Sequence, residues 1–97
     1  MRILKIEPCA GASEGEMSFS GEAQLGKLEF SEDVMDTLRQ AFGEVHITPE
    51  RDFVLIEDGD VMIMVFSTGR AIVRRAKSRE DAERRLTQLF EIVHGGK

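Results

Sequence analysis

From Phe53 to Arg74 the chain alternates between two kinds of side chain with hardly a break. One set is Val54, Ile56, Val61, Ile63, Val65, Ala71 and Val73, compact and mostly β-branched. The other is Phe53, Leu55, Met62, Met64, Phe66, Ile72 and Arg74, larger and softer. A period of two is the mark of strands, whose successive side chains point to opposite faces. "RDFVLIE", "VMIMVF" and "RAIVRRA" therefore read as strands, joined by the turns "EDGD" and "STGR". Gly69 is able to take the positive φ that the second turn needs. "EVHIT" is a further strand, ended by Pro49. Near the start, "RILKIEP" is a short strand with Leu4 and Ile6 on one face. "EMSFSG", alternating Met17 and Phe19, is a possible strand within the glycine-broken stretch 10–27.

Two segments carry the helical period instead. In "SEDVMDTLRQAFG", Val34, Met35, Leu38, Ala41 and Phe42 form one apolar stripe. Ser31 is the N-cap, Glu32 and Asp33 favour the positive end of the helix, and Gly43 is the expected left-handed stop. In "SREDAERRLTQLFEIV", Ser78 and Asp81 have the form of a capping box. Ala82, Leu86, Leu89, Phe90 and Val93 share the buried face, and Gly95 and Gly96 end the helix.

The strand connections are too short for parallel crossovers, so the sheet is antiparallel. The expected architecture is a single α+β domain over residues 1–97. It is a two-layer sandwich, with an antiparallel sheet of four to five strands and two helices on one face. The helices should lie over the compact set. The Phe/Met set then faces the other way as a patch of several hundred Å², more than an isolated monomer usually exposes. Three arrangements answer that exposure: the stretch 10–27 folds over the patch, the two faces are exchanged, or another chain covers it. A second copy or a protein partner is the reading we carry forward. Its contact residues are Phe53, Leu55, Met62, Met64, Phe66, Ile72 and Arg74. Flexible Met side chains suit a surface that adapts to another shape.

Composition is that of a globular domain: 97 residues, 41% apolar and 32% charged. The net charge of −5 is uneven, with −9 over residues 1–60 and +4 over residues 61–97. Two such halves neutralise each other in one compact domain, or mark an interaction surface. An acidic chain of this kind is poorly suited to avid nonspecific DNA binding. The lone Cys9 forms no intrachain disulfide, which fits a reducing cytoplasm. "MRILKIEP" is too short an apolar run for a signal peptide, and no stretch approaches the length of a membrane span. A cytoplasmic protein that does not engage membranes is expected.

Catalytic and cofactor chemistry has no foothold in the sequence. There is no GxGxxG or Walker pattern, and "GASEGE" lacks the Lys and helix of a phosphate loop. His46 and His94 have no metal-ligand spacing, so His46 is expected to be a strand residue. Asp58 and Asp60 around Gly59 build a turn and lack the EF-hand spacing. No nucleophile, base and orienting group can be assembled. A non-enzymatic binding module without cofactor or metal is the expectation.

"FSTGRAIVRRAKSREDA" (66–82) resembles one half-repeat of the TATA-box-binding protein family, with its F-S-S-G-K…G-A-K-S-E-E-x-A pattern. "PERDF" (49–53) is similar to that family's P-K-R-F, and the element order over residues 31–93 agrees. The resemblance implies that family's half-saddle fold. It also implies minor-groove DNA binding by wedging phenylalanines, at positions matched by Phe66 and Phe53, with Arg70 and Ile72 at further groove-facing positions. On that reading Arg70, Arg74 and Arg75 are the candidate nucleic-acid contacts, and two copies are needed to make a saddle. Three features depart from the family: there is one half only, there is no Asn, and Arg74 and Arg75 stand where the family has Thr and Gly. "VFSTGRAIVRRAKSREDAERRL" is also similar to the small C-terminal segment of ThiF/MoeB-type adenylyltransferases, with their F-P-D-G-R-A-I-V…G-T-x-D pattern. That resemblance implies an accessory to sulfur-carrier activation, because none of the nucleotide-binding machinery is present.

Overall fold

Six strands make one antiparallel sheet. The computed structural model describes residues 1–8 and 18–95. In chain order the elements are β1 (Arg2–Pro8), β2 (Phe19–Gln24), α1 (Glu32–Ala41), β3 (Glu44–Ile47), β4 (Phe53–Asp58), β5 (Val61–Phe66), β6 (Arg70–Ala76) and α2 (Arg79–Phe90). A π-helical turn, Glu91–Gly95, follows. Across the sheet the order is β1-β2-β6-β5-β4-β3. The expected four to five strands become six because the glycine-broken stretch contributes a full strand. β2 pairs with both β1 and β6 and joins the N-terminus to the meander.

Both helices pack on one face, as the two side-chain sets require. Val54, Ile56, Val61, Ile63, Val65, Ala71 and Val73 are almost wholly excluded from solvent, along with Met35, Leu38, Ala82, Leu86 and Leu89. Phe42 and Phe90 are only half-buried at the margins, and Ala41 is exposed. α2 lies over β6, β2 and β1, while α1 lies beside β3 and the π-helical turn. The loop after β2 adds what the alternation does not signal. Leu25, Leu28 and Phe30 enter the core as the chain crosses the end of the sheet. The backbone N–H groups of Leu25 and Leu28 donate to Gly69 O and Ser67 O in the β5–β6 turn. Gly69 has φ +106, and a Cβ there would collide with Gln24 and come within 2.5 Å of Gly26 O, so only glycine fits.

Two bulges correct the simple alternation. In β1 the register shifts between Ile3 and Lys5. Ile3 and Ile6 therefore both pack toward the core, and Leu4, expected to share a face with Ile6, is 49% exposed. Opposite β2, the register shifts so that Val73 and then Ala76 turn inward, with Arg74 and Arg75 between them. Arg75 takes φ +66, a left-handed conformation that glycine adopts without strain.

Capping follows the sequence with two changes. Ser31 Oγ accepts from Val34 N–H and Ser78 Oγ accepts from Asp81 N–H, as expected. Asp81 Oδ2 accepts from Lys77 N–H, one residue before the position a capping box usually serves. Gly43 is not the left-handed stop, since its φ is not positive. It is required for close approach, because a Cβ there would lie 2.7 Å from Glu57 O in β4.

Candidate interaction surface

The outer face of the sheet is a grid set by strand register. Its central row runs His46, Leu55, Met64, Ile72, Glu22 and Lys5 from β3 to β1. Beside it runs Glu44, Glu57, Met62 and Arg74. On the other side Phe53 pairs with Phe66, and Arg70 stands across the β5–β6 turn, opposite Gln24. The centre is therefore apolar and both flanks are charged. The buried neighbours along each strand prove the orientation: 54 and 56, 61, 63 and 65, and 71 and 73 all point to the helices.

The residues expected to form the second face thus lie together on one surface. Phe53, Leu55, Met62, Met64, Phe66 and Ile72 are half-buried, and Arg74 is exposed. Their exposure is smaller than the alternation suggests. Among the described residues, Met1 and Leu4 are the large apolar side chains that stand out in solvent. At up to about a third exposed, six side chains of this size present about 100–400 Å², within the range of a single functional patch. Residues 18–27 do not fold over the face, because Phe19–Gln24 is a strand within the sheet. Residues 9–17, including Cys9 and Met17, lie outside the described residues.

Phe53 is placed by a tight local network. Thr48 Oγ1 donates to Asp52 Oδ1 at 2.7 Å, Thr48 N–H donates to Phe53 O, and Ser67 N–H donates to Asp52 O. The two phenyl rings then meet with centroids 4.9 Å apart and tilted by 40°. Arg51, with φ +58, sends its guanidinium to Phe30 O, where Nε donates at 3.1 Å and Nη2 also donates. Arg51 was not among the expected functional residues. In this structure it ties the α1 entry to the β3–β4 loop.

The charged border is mixed in sign. Arg70 Nε donates to Glu22 at 2.8 Å, and Lys5 Nζ lies 3.6 Å from Glu7. Arg74 has no ion-pair partner among the described residues, and Arg75 stands in the β6 bulge. At the β3 edge, His46 Nε2 is 3.6 Å from Glu57 and 3.9 Å from Glu44. The sequence spacing does not reveal this trio, since register across two strands assembles it. Its donor atoms lie within 4.8 Å of one another. Their side chains are well exposed, and no hydrogen-bonded shell orients the imidazole among the described residues.

Among the described residues, the most buried charge network is on the helix layer. Arg85 donates to Asp81 at 3.1 Å and to Asp58 at 2.7 Å, and Arg84 donates to Asp81 at 2.6 Å. Burial of Asp81 works to raise its pKa. The Lys77 N–H bond, the charge of Arg85 and the two guanidinium bonds outweigh it and hold the carboxyl below its ordinary value. This network joins α2 to the β4–β5 turn. Two shallow depressions, of about 380 and 510 Å³, are lined by Leu28, Phe30 and Arg51 and by the exposed side of α2. Neither involves the apolar six.

The six-stranded antiparallel sheet with two helices on one face is a TBP-like half domain in fold. The TBP of Methanococcus jannaschii superposes with a TM-score of 0.54 at 22% identity, covering 79% of this chain and 45% of that one. The match spans about half of that protein, which makes this chain a TBP half-repeat in fold. No family model and no curated protein matches the sequence. No helix among the described residues is long and apolar enough to cross a membrane.

Proposed function

We propose that this chain is a non-catalytic binding module that docks a protein surface, its own or another's, on the outer face of its sheet. The observation that carries the reading is the apolar centre of that face, Phe53, Leu55, Met62, Met64, Phe66 and Ile72, bordered by charged side chains and left uncovered by both helices. A dry centre with a polar rim is the anatomy of a protein interface. Met64→Glu places a charge at the middle of the patch, where the native side chain is already partly exposed. It should abolish association in sedimentation velocity and leave the denaturant midpoint nearly unchanged. Retained association would refute this use of the face.

A second reading, minor-groove binding by a pair of copies, is favoured by the Phe53–Phe66 pair beside Arg70. The charge argues against it, since Arg70 is already matched by Glu22, and Glu57 and Glu44 border the same face. If Arg70, Arg74 and Arg75 contact DNA, anisotropy with an AT-rich duplex should rise at low salt and collapse as salt increases. A flat titration at low salt removes this reading.

A further inference from the structure

We propose that the partner on the outer face is a second copy, packed sheet to sheet about a twofold axis that runs along β5. The inference rests on the docking-face reading above and adds the occupant and its orientation. Its basis is the self-complementarity of the grid. β5 carries the apolar midline, Met62, Met64 and Phe66. On one side, β4 presents Phe53, Leu55 and Glu57. On the other, β6 presents Ile72 and Arg74 in the matching rows, with Arg70 one residue beyond the last paired position, across the turn from Phe66.

A twofold along β5 keeps each row and exchanges its two ends. Met62, Met64 and Phe66 meet their own equivalents, and Leu55 meets the partner's Ile72. Glu57 meets the partner's Arg74, and Arg74 meets the partner's Glu57. Phe53 lies against the partner's Arg70, a cation–π arrangement. One strand further out, His46 lies over the partner's Glu22. An in-plane axis across the strands reverses the rows instead. It sets Phe53 on the partner's Glu57 and Arg70 on the partner's Arg74, leaving like charges in contact. Symmetry therefore selects the first axis on charge alone.

Spacing agrees with this selection. Glu57 and Arg74 share a row but are separated by β5, about 10 Å apart at two strand spacings, so they do not neutralise each other within one chain. Facing sheets also lie about 10 Å apart, a gap that Arg and Glu side chains bridge together. The three strands cover a footprint of about 300 Å² on each copy, at about 4.8 Å per strand and about 20 Å of length. Such a contact is at the small, weak end of specific interfaces, and a dissociation constant on the order of micromolar or weaker is expected.

The test is a charge reversal with an internal rescue. Glu57→Arg and Arg74→Glu are each made alone, and sedimentation velocity is run over a concentration series. Wild type should dimerise reversibly, and either single variant should associate about 100-fold more weakly. An equimolar mixture of the two variants restores both ion pairs and should dimerise as wild type does, which also shows that both variants fold. Wild type that stays monomeric at the highest concentration reached would overturn the proposal. So would a dimer insensitive to both reversals. In that last case a Met64→Glu variant separates the two readings. Monomeric Met64→Glu leaves the docking face standing with a different orientation, and dimeric Met64→Glu removes the face as well.

Discussion

The two faces of this sheet are built from alternate residues of the same strands, yet they answer to different demands. The helix-side face uses Val, Ile and Ala, and every one of its central residues is sealed. The outer face uses Phe, Met and Leu at the intervening positions, half-buried and ringed by charge. Short β-branched residues suit a surface that packs against fixed helices. Long flexible ones suit a surface whose counterpart comes and goes. Strand hydrophobicity alone therefore does not identify the core. Shape, branching and the charge at the row ends do.

The largest effect expected from this difference is a paired truncation. Ile63→Ala, on the sealed face, should cost about 2–5 kcal/mol, and Leu86→Ala beneath α2 about the same. Ile72→Ala, one strand away on the outer face, should cost about 1 kcal/mol or less, because its site is already open on one side. Equal losses in urea melts of Ile63→Ala and Ile72→Ala would break the comparison.

Asp81 gives an intermediate effect on the helix layer. Asp81→Ala removes the Lys77 cap and strands Arg85, whose side chain is 12% exposed, on Asp58 alone. About 1–3 kcal/mol of stability should go with it. Its carboxyl has a lower pKa folded than unfolded. Its contribution is therefore complete above the unfolded value near 4, and is lost as pH falls through the folded value. Urea midpoints of wild type and the variant should stand apart at neutral pH and draw together in acid, below the unfolded value. A constant gap across that range would contradict the assignment.

The smallest effect is a gain. Arg75 holds φ +66 in the β6 bulge, where a side chain is strained. Arg75→Gly should raise stability by about 0.5–1 kcal/mol in thermal melts, with association unchanged because the row ends at Arg74. A loss of stability would mean that the Arg75 side chain makes a contact worth more than the strain.

Much of this was readable from the sequence, and the failures have physical causes. β1, β5 and β6 have the bounds that the alternation predicts, and both N-caps are where Ser31 and Ser78 place them. The two sets of alternate residues separate onto two faces as expected. β2 is hard to see in the sequence because Gly21 and the polar Glu22 and Gln24 around Ala23 interrupt its pattern. Leu25, Leu28 and Phe30 enter the core from a loop, where no period announces burial. Bulges misled the reading of Leu4, since one inserted residue reverses every assignment beyond it. The half-burial of the outer-face side chains is not legible in the alternation, because large side chains on neighbouring strands, Phe53 against Phe66 among them, shelter one another. The outer-face residues were named from sequence, but the pairing of Glu57 with Arg74 across β5 required the register.

Methionine methyl groups test the central claim most directly, because the protein carries its own control. Met35 is sealed in the helix layer, while Met62 and Met64 stand on the outer face. In a dilution series of methyl-labelled wild type, the Met62 and Met64 resonances should move together with concentration and Met35 should stay fixed. Resonances that are all independent of concentration, or a Met35 signal that moves with the other two, would contradict an outer face built for docking.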